Sequence, residues 1–462
     1  MNRNELVLTA EGAASTAYLV LTQGALFTAL ALYFNLSAWW LGVSAAFPLA
    51  FQLLQLFAPP LVERSRNRPA LLNLFNALRA VWLIPALAAL AGYRSSALFI
   101  ASFALSQAAN AFAGNVWLCL CKDLVPEERR GSFFGRRNFI LGIVSMAAVP
   151  AYLRLLELVA EPWNVFVVVA LGLVGTALAM AATTFLRDAR PAGRETPQLG
   201  QTTAPARRLA EFARAALAPA RDEGFKRLIV AFFFWSASVQ FAAPFFALHQ
   251  IRNLAMPYSV IGLAATATAV ISMLSFRAWG KIADRAGHKS VLMVGLGVAS
   301  SLPGLWFFMA EPIWPYILAV DVVMTGVGWS AVNLTLITLP MESSEKADSS
   351  YFALMYALGG LGGLAGSILG GAAAELSMGW GGSLFGLRIE GLQFLFLINS
   401  FMRVGAALLF RRVPTKRYVR PITLVENILS LLARRMALRP MESDGTSLLA
   451  AEPEPRGNGR SD

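Results

Sequence analysis

Very few residues of this 462-residue chain could do chemistry inside its apolar segments. Asp321 is the clearest of them, because no other carboxylate falls so far inside a long apolar stretch. A carboxylate in such surroundings is costly and therefore marks a functional position by default. It could carry a proton or pair with a cationic substrate. The alternative is a carboxylate near the end of its segment that backbone groups or water satisfy.

The residues that enzymes use are otherwise scarce. The chain has two histidines and two cysteines. His249 falls at the end of an apolar segment and His288 in a loop, and neither is paired with a nucleophile. Cys119 and Cys121 are two positions apart on a predicted helix and so do not face each other. We therefore predict that the chain is not an enzyme and that it has no metal site and no cofactor.

The segments that hold these residues are long and apolar. The chain is 56% hydrophobic and 14% charged, whereas soluble domains are roughly 25% charged. About 20 apolar residues in a helix cross the hydrocarbon core of a bilayer, where irregular backbone would leave polar groups unpaired. The sequence therefore predicts an all-α integral membrane protein with twelve transmembrane helices, named spans 1 to 12, at residues 14–34, 38–58, 70–91, 95–119, 137–158, 163–186, 226–248, 257–278, 288–309, 312–339, 350–373 and 390–410.

The basic residues are distributed unevenly between the two ends of these spans. Of 39 Lys and Arg, 33 fall in the two termini and in loops 2–3, 4–5, 6–7, 8–9 and 10–11. Four, Arg94, Arg154, Arg252 and Arg388, fall on the other side, and two, Arg79 and Arg403, lie well inside spans. Cytoplasmic loops carry such an excess of positive charge. We therefore predict cytoplasmic N- and C-termini, and we attribute the net charge of +12 to orientation and not to nucleic acid.

Two loops recur at a nearly constant distance along the chain. Residues 280–289 read Gly-Lys-Ile-Ala-Asp-Arg-Ala-Gly-His-Lys and residues 59–68 read Pro-Pro-Leu-Val-Glu-Arg-Ser-Arg-Asn-Arg, an offset of 221 residues. Ser132-Phe-Phe and Ser350-Tyr-Phe give an offset of 218. The repeat predicts a duplicated six-helix unit. The predicted domains are six-helix bundles at 1–187 and 226–412, a cytoplasmic linker at 188–225 and a tail at 413–462.

The linker and the tail each contain an amphipathic stretch. Residues 207–217 have apolar side chains on one face, which is typical of a helix lying on an anionic leaflet, although a solvated loop helix fits equally well. Residues 422–439 have a similar pattern followed by arginines. Residues 442–462 are rich in Glu, Gly, Ser and Pro, and we expect them to be disordered.

The 280–289 loop is a recognisable motif. It is similar to the signature loop of the major facilitator superfamily of secondary transporters, with the pattern Gly-x-x-x-Asp-Arg-x-Gly-x-Lys. The Pro-x-x-x-Arg-Gly of loop 4–5 recurs in the same family. The copy at 59–68 is weaker, because Pro59, Glu63 and Arg66 replace the Gly, the Asp and the second Gly. In spacing and topology the resemblance covers residues 10–412, and it implies two bundles related by a pseudo-two-fold axis.

The resemblance also implies a conformational latch on the cytoplasmic face that breaks when the carrier opens inward. Asp284 would contact the start of span 5 near Ser132, and Glu63 would contact span 11 near Ser349. The expected latch residues are Gly280, Asp284, Arg285, Gly287, Lys289, Glu63, Arg64 and Arg130. In such a loop Gly280 would allow close helix contact, Gly287 a turn with positive φ, and Arg285 and Lys289 contact with lipid headgroups. The alternative is that these charges only fix the topology.

The family's cavity is lined by spans 1, 4, 7 and 10, so the resemblance selects polar residues of those spans for a substrate or proton path. They are Asp321, Thr325, Trp329 and Asn333 of span 10, Gln107, Asn110 and Asn115 of span 4, Gln23 of span 1 and Gln240 of span 7. Hydrogen bonding between helices is the alternative role for the amides. Glu11 is placed at the cytoplasmic mouth of span 1. Arg79 and Arg403 are expected outside the cavity, near the interface, as structural or coupling residues.

These observations predict a secondary active transporter that moves a small solute by alternating access, with protons as a candidate coupling ion. Drug–proton antiporters of this superfamily usually have an Arg in span 4 and a Gly-Pro motif in span 5. This chain has no Arg in span 4 and no Gly before Pro150, which argues against multidrug efflux. The alternatives are a transport-inactive sensor or assembly factor of the same fold and, less favoured, a membrane-embedded lipid or acyl transferase. We expect a monomer in the cell membrane, a bacterial inner membrane, whose partners are the lipid bilayer, a small-molecule substrate and protons.

Overall fold

The structure is a computed structural model that describes residues 3–54, 61–62, 65, 67–126, 129–186, 222–343, 349–384, 386–415, 417–426 and 430. The residues up to Tyr418 form one compact unit, and those from Val419 onward form a second. In the second unit residues 421–426 are helical. Most of the predicted linker and tail, with the surface helices expected there, lies outside the described residues.

The described residues of the first unit are mostly helical, as apolar segments of this length require in a bilayer. The helices are α1 (Arg3–Leu19), α2 (Gly24–Tyr33), α3 (Ala38–Gln52), α4 (Arg68–Ala77), α5 (Leu83–Leu90), α6 (Ser96–Leu124), α7 (Arg130–Leu158), α8 (Trp163–Thr183), α9 (Glu223–Leu248), α10 (Tyr258–Ala286), α11 (His288–Phe307), α12 (Trp314–Ser343), α13 (Ser349–Ser377) and α14 (Gly391–Phe410). A 3₁₀ turn joins α4 to α5, and a π turn extends α9.

Within the described residues, ten helical segments are long and apolar enough to cross a bilayer, or eleven if the bent pair α1–α2 is one span. The protein is therefore a multi-pass helical membrane protein. The predicted span 2 is described as a helix only over Ala38–Gln52, which is too short to be counted. The number twelve, the two bundles and the location of the termini stay predictions.

The first span differs from the prediction in its start and its continuity. Helix α1 begins at Arg3, eleven positions before the predicted start, so Glu11 lies inside the helix and not at its mouth. The helix then ends in a 3₁₀ turn, and Gln23 has an extended backbone with φ of −153° and ψ of 163°. Gly24 has φ of 62°, and α2 leaves at an angle of 50° to α1. Broken helices of this kind are tolerated at membrane depth where they border a cavity.

The prediction of an all-α chain missed one connection. Between α13 and α14 the chain forms an antiparallel hairpin of β1 (Gly381–Leu384) and β2 (Leu387–Glu390), with Gly381 opposite Glu390. Two four-residue strands are too short for hydrophobic periodicity to separate them from a loop.

Glycines on α13 allow it to pack closely against α9. A Cβ on Gly362, Gly366 or Gly370 would collide with the backbone carbonyl oxygens of residues 233, 237 and 241. The three glycines are four positions apart and so share one face of α13. Of the two roles considered for this glycine-rich helix, bending or tight packing, the described contacts fit tight packing at these positions.

The hydrogen bonds between the N-terminal half (residues 3–186) and the C-terminal half (residues 222–418) lie away from the arginine-rich loops. Ser367 Oγ donates to Gly42 O at 2.7 Å, and the Trp39 amide donates to Glu375 Oε2 at 2.9 Å. On the other side of the molecule, the Ser259 amide donates to Glu157 Oε2 at 3.3 Å. These hydrogen bonds fasten the two halves together at the end opposite the arginine-rich loops.

Candidate functional site

A network of polar side chains is buried in the N-terminal half, and we name its members Glu11, Ser15, Arg79, Gln107 and Asn110 the Arg79 network. Arg79 Nε donates to Asn110 Oδ1 at 3.1 Å, and Arg79 Nη1 donates to Ser15 Oγ at 3.2 Å. Ser15 Oγ donates to Glu11 Oε1 at 3.0 Å, and Asn110 Nδ2 donates to Gln107 Oε1 at 3.2 Å. The network joins α1, the turn between α4 and α5, and α6.

The prediction that Arg79 reaches the membrane interface is wrong. Its side chain is buried, and its Cζ atom lies 4.8 Å from the centre of the Tyr18 ring. Glu11 is only 4% exposed, and its Oε2 has no hydrogen-bond partner. A buried arginine and a buried carboxylate in one network are the arrangement by which proteins keep charge inside an apolar region.

A second arginine lies beside this network. The Cζ atom of Arg137 lies 4.2 Å from the Trp117 ring, and its guanidinium fills the space that a Cβ on Gly12 would occupy. Glu11 interacts electrostatically with both Arg79 and Arg137. The prediction of span 1 from apolar residues missed this site, because a stretch chosen for apolar residues starts after the charged residue Glu11. The i, i+4 spacing of Glu11 and Ser15 within a run of small residues is the signal that could have extended α1.

Asp321 lies in the C-terminal half, at the wall of a cavity of about 280 Å³. Its Oδ1 accepts hydrogen bonds from Trp306 Nε1 at 2.8 Å and from Thr325 Oγ1 at 3.3 Å. Trp329 lines the same cavity, so three residues selected on span 10 meet there. We name this space the Asp321 cavity.

Arg403 also lines the Asp321 cavity, which the sequence did not predict. It is 3% exposed, so contact with the interface is excluded for this side chain as well. Its Nη1 donates to Ala299 O at 2.9 Å, and its Cζ lies 5.6 Å from the Trp329 ring and 5.9 Å from the Phe246 ring. The family resemblance had placed span 12 outside the cavity, and no local pattern around Arg403 contradicts that placement.

A second cavity, of about 320 Å³, lies where the first span breaks. Gln23 and Gly24, at the break, line it together with Gln240 of α9. Residues of spans 1 and 7 that were selected separately are thus brought to one space between the two halves. An extended backbone at Gln23 exposes peptide groups that can bind a ligand as side chains do.

A third cavity, of about 430 Å³, lies between α3, α9, α12 and α13. Trp235 and Trp329 line it, with ring centres 6.0 Å apart, and Gln240 lines it as well. It shares Trp329 with the Asp321 cavity and Gln240 with the cavity at the break. The three cavities are therefore neighbours that share an indole and an amide as lining groups.

Of the four selected residues that line none of these cavities, Gln107 and Asn110 belong to the Arg79 network, whereas Asn333 and Asn115 do not. Asn333 is exposed, and it lines none of the three cavities. Asn115 is half-buried, and its Oδ1 lies 3.9 Å from Cys119 Sγ, one turn along the same helix. A substrate role for either one stays a prediction.

The motif loop does not form the expected latch contact in this conformation. Asp284 and Arg285 are exposed, and no described hydrogen bond joins Asp284 to Ser132, whose Oγ donates to Arg129 O. A Cβ on Gly280 would meet nothing within 4 Å, so the expected close helix contact is absent there. Glu63 and Arg64 lie outside the described residues. The latch stays a prediction for another conformation.

Among the other motif residues, Gly287 forms the predicted turn, and Lys289 and Arg130 bind backbone carbonyls near the ends of neighbouring helices. Gly287 has φ of 90°, as the predicted turn requires, and a Cβ there would lie 2.5 Å from Arg417 O. Lys289 is buried and does not reach headgroups, because its Nζ donates to Arg411 O at 2.9 Å and to Val413 O at 2.6 Å. Arg130 Nη2 donates to Lys122 O at 2.8 Å. Both cations thus bind carbonyls near the end of a helix, where cations are favoured.

Replacing Lys289 by methionine is expected to destabilise the protein by about 2–3 kcal/mol, because it leaves two buried carbonyls without a charged donor. The measurement is the melting temperature of the purified protein. Lys281→Met, at an exposed position of the same loop region, is the matched control and should change it little. Equal melting temperatures for the two variants would contradict the assignment.

Comparisons with known proteins agree on a family. The family model described as Major Facilitator Superfamily matches residues 7–367. By sequence the chain matches no curated protein. Solved structures resemble it in fold, each at low identity, and they include a mutant of the nucleoside transporter NupG, with 13% identity, a TM-score of 0.66 and coverage of 89% of this chain and 99% of that one.

Two further structures have a similar extent of agreement. A D-xylose–proton symporter is 15% identical, with a TM-score of 0.62 and coverage of 89% of this chain and 98% of that chain. An auto-inhibited peptide transporter of the POT family is 12% identical, with a TM-score of 0.63 and coverage of 91% and 99%. At such identities the likeness concerns the fold alone.

Proposed function

We propose, from the premise that this chain belongs to the major facilitator superfamily, that it moves a small solute across the membrane by alternating access. As a member of that family the chain is a multi-pass membrane transporter and not an enzyme. The finer statement, that two halves rock about a central site, is supported by one observation above all. Three neighbouring cavities lie between or beside the two halves, and the described hydrogen bonds between the halves lie at the end opposite the arginine-rich loops.

Alternating access requires that these contacts between the two halves break when the protein opens at this end. At the closed end Gly42 and Gly371 are in backbone contact, because a Cβ on Gly42 would lie 2.6 Å from Gly371 Cα. Ser367 and Glu375 of α13 bind backbone groups of the first half beside this contact. The charge asymmetry predicts that this end faces away from the cytoplasm. We therefore interpret the conformation as closed outside, with the latch of loop 8–9 open inside.

A larger side chain at Gly42 should shift this equilibrium without any ligand. Gly42→Leu is expected to hold the outer ends apart, so spin labels at Tyr93 and Tyr316 should move apart while labels at Arg136 and Lys281 approach. The measurement is the distribution of label distances in liposomes. Gly405→Leu is the control, since a Cβ there would meet nothing within 4 Å.

A rigid response would contradict the proposal. If both label pairs keep their distances in Gly42→Leu while the protein stays folded, the two halves do not exchange opening between their ends. If the outer pair separates and the inner pair does not approach, the outer end opens independently, and alternating access fails.

Coupling to protons through Asp321 is a second part of the proposal. The carboxylate lies beside a cavity and is held by a tryptophan and a threonine on one oxygen only. Asp321→Asn protein in proteoliposomes should therefore lose most of the dependence of solute uptake on an imposed pH gradient. Glu311→Gln removes a carboxylate that binds the exposed Trp314 Nε1 and serves as the control. Unchanged gradient dependence in Asp321→Asn would exclude Asp321 as the coupling residue.

The alternatives are less well supported. A sensor or assembly factor that has lost transport would be expected to have its cavity filled by side chains, and cavities of about 430, 320 and 280 Å³ argue against this. A lipid or acyl transferase would need a base beside a nucleophile. His249 Nε2 donates to Met309 O at 2.9 Å, and His249 Nδ1 lies 3.0 Å from Asn253 Nδ2, so this ring is held by groups that are not nucleophiles. His288 does lie beside a hydroxyl, with its Nδ1 2.9 Å from Thr338 Oγ1, contrary to the expectation that it is unpaired, but neither residue lines the three cavities.

A further inference from the structure

The Asp321 cavity contains two opposite charges that do not form a salt bridge. Asp321 and Arg403 both line it and attract each other electrostatically. Among the described residues no salt bridge within 4 Å joins them. Charges buried in a protein are normally paired, because each loses its hydration on burial. The site therefore holds one anion and one cation that each lack a direct counter-ion.

Only one oxygen of the Asp321 carboxylate accepts hydrogen bonds from the described residues. Both protein donors, Trp306 Nε1 and Thr325 Oγ1, bind Oδ1. No donor of the described residues binds Oδ2. The two bonds on Oδ1 fix the orientation of the carboxylate, and Oδ2 can then accept a hydrogen bond from a positively charged group.

The Arg403 guanidinium, like the Asp321 carboxylate, has only some of its polar atoms in hydrogen bonds. Arg403 Nη1 binds Ala299 O, whereas the buried Nε has no hydrogen-bond partner. A guanidinium has five donors in a fixed planar arrangement that matches a carboxylate. The Trp329 and Phe246 rings hold its position at 5.6 and 5.9 Å. An unpartnered buried donor of this kind is costly, so the Arg403 guanidinium is incompletely satisfied within the protein.

The remaining wall of the cavity is apolar. Val239, Ala243, Phe246 and Leu302 line it together with the Trp306 ring. Its volume of about 280 Å³ is close to the lower limit of small-molecule pockets, roughly 300 Å³. The cavity of about 430 Å³ is its neighbour and shares Val239 and Trp329 with it as lining residues.

We propose that this site binds a small zwitterion of the amino-acid class, with its ammonium group on Asp321 Oδ2, its carboxylate on Arg403 and its apolar side chain against the tryptophans. The inference rests on the proposed function for its meaning as a transport substrate. A simple cation would leave Arg403 unpaired, and a simple anion would leave Asp321 unpaired. A neutral solute would satisfy neither charge. Since Asp321 binds a proton or an ammonium group but not both, proton uptake would release the ligand.

The test measures binding separately from transport. The full-length protein in lipid nanodiscs is titrated with leucine, methionine, phenylalanine, tyrosine and tryptophan, each also as its methyl ester and its N-acetyl derivative. Melting temperature and calorimetry are the measurements. At least one free amino acid should bind about tenfold or more tightly than both of its derivatives, since each derivative loses one charged hydrogen bond.

Two variants test which residue binds the ammonium group of the ligand and which binds its carboxylate. In Asp321→Asn the free amino acid should bind no better than the N-acetyl form, and in Arg403→Gln no better than the methyl ester. Asp321→Glu and Arg403→Lys keep the charges and should retain part of the preference. If no free amino acid binds, if the derivatives bind as tightly as the parent, or if the variants weaken all three forms equally, the proposal is wrong.

The three-ligand comparison on the unmodified protein decides the question even if a variant does not fold. If a zwitterion binds as described but is not transported in proteoliposomes, the binding site is supported and the proposed transport function is contradicted. Carriage of another solute without binding of any zwitterion would leave transport standing and contradict the site.

Discussion

Arg79→Met protein is expected to be less stable than the unmodified protein by about 3–5 kcal/mol, the usual cost of removing one partner from a buried charge network. Arg79 is 5% exposed and binds Ser15 and Asn110. Methionine fills much of the same volume, so the loss reports the charge and the hydrogen bonds rather than a cavity. The measurement is the free energy of unfolding in mild detergent with added denaturant.

The control and the double variant make this prediction specific. Arg136→Met removes an exposed arginine whose bonds go to Ser132 on its own helix, and it should cost little. Glu11→Gln in the Arg79→Met background removes the carboxylate that would otherwise be left without its arginine. The double variant should then be more stable than the sum of the two single losses implies. Strict additivity would mean that Glu11 and Arg79 do not act together.

Gly366→Ala is expected to destabilise the protein by about 1–3 kcal/mol, because the added Cβ would collide with the Ala237 carbonyl oxygen. A backbone carbonyl within a helix cannot rotate away as a side chain can, so α13 has to separate from α9. Adding Gly370→Ala should increase the loss, since its Cβ would meet the Phe241 carbonyl one turn further along. Melting temperature is the readout.

Gly360→Ala provides a matched comparison on the same helix. A Cβ at this position would meet nothing within 4 Å, and alanine is a better helix former than glycine by roughly 1 kcal/mol. Gly360→Ala should therefore be neutral or stabilising, and Gly366→Ala gains the same propensity but loses the packing. Similar melting temperatures for the two would show that α13 and α9 do not depend on close contact.

Both halves have a buried carboxylate near a buried arginine. Each buries a carboxylate within electrostatic reach of arginine: Glu11 with Arg79 and Arg137 in the first half, Asp321 with Arg403 in the second. In the first half hydrogen bonds connect the charges through Ser15. In the second half a cavity separates them. That difference is why we assign a structural role to the first and a ligand to the second.

Much of the site was predictable because some information is local in the chain. Asp321, Thr325 and Trp329 lie along a single helix, which the family resemblance selected for the cavity, so three residues of the Asp321 cavity were predicted together. Arg403 joins them from a helix about eighty positions later, and no spacing rule connects residues so far apart. Glu11 was placed at the end of its helix for another reason, since apolar windows end a helix at its first charges while the folded helix continues to Arg3.

By itself, the sequence determined that this is a helical membrane protein, its expected orientation and its family, because apolar length, loop charge and the 280–289 motif are properties of short segments. Only the tertiary structure decided that the first span breaks at Gln23, that Lys289 binds carbonyls and not headgroups, and that Asp321 and Arg403 line one cavity without pairing. These features depend on contacts between distant segments. Their free energy comes from burial and from hydrogen bonds made only after the helices have packed.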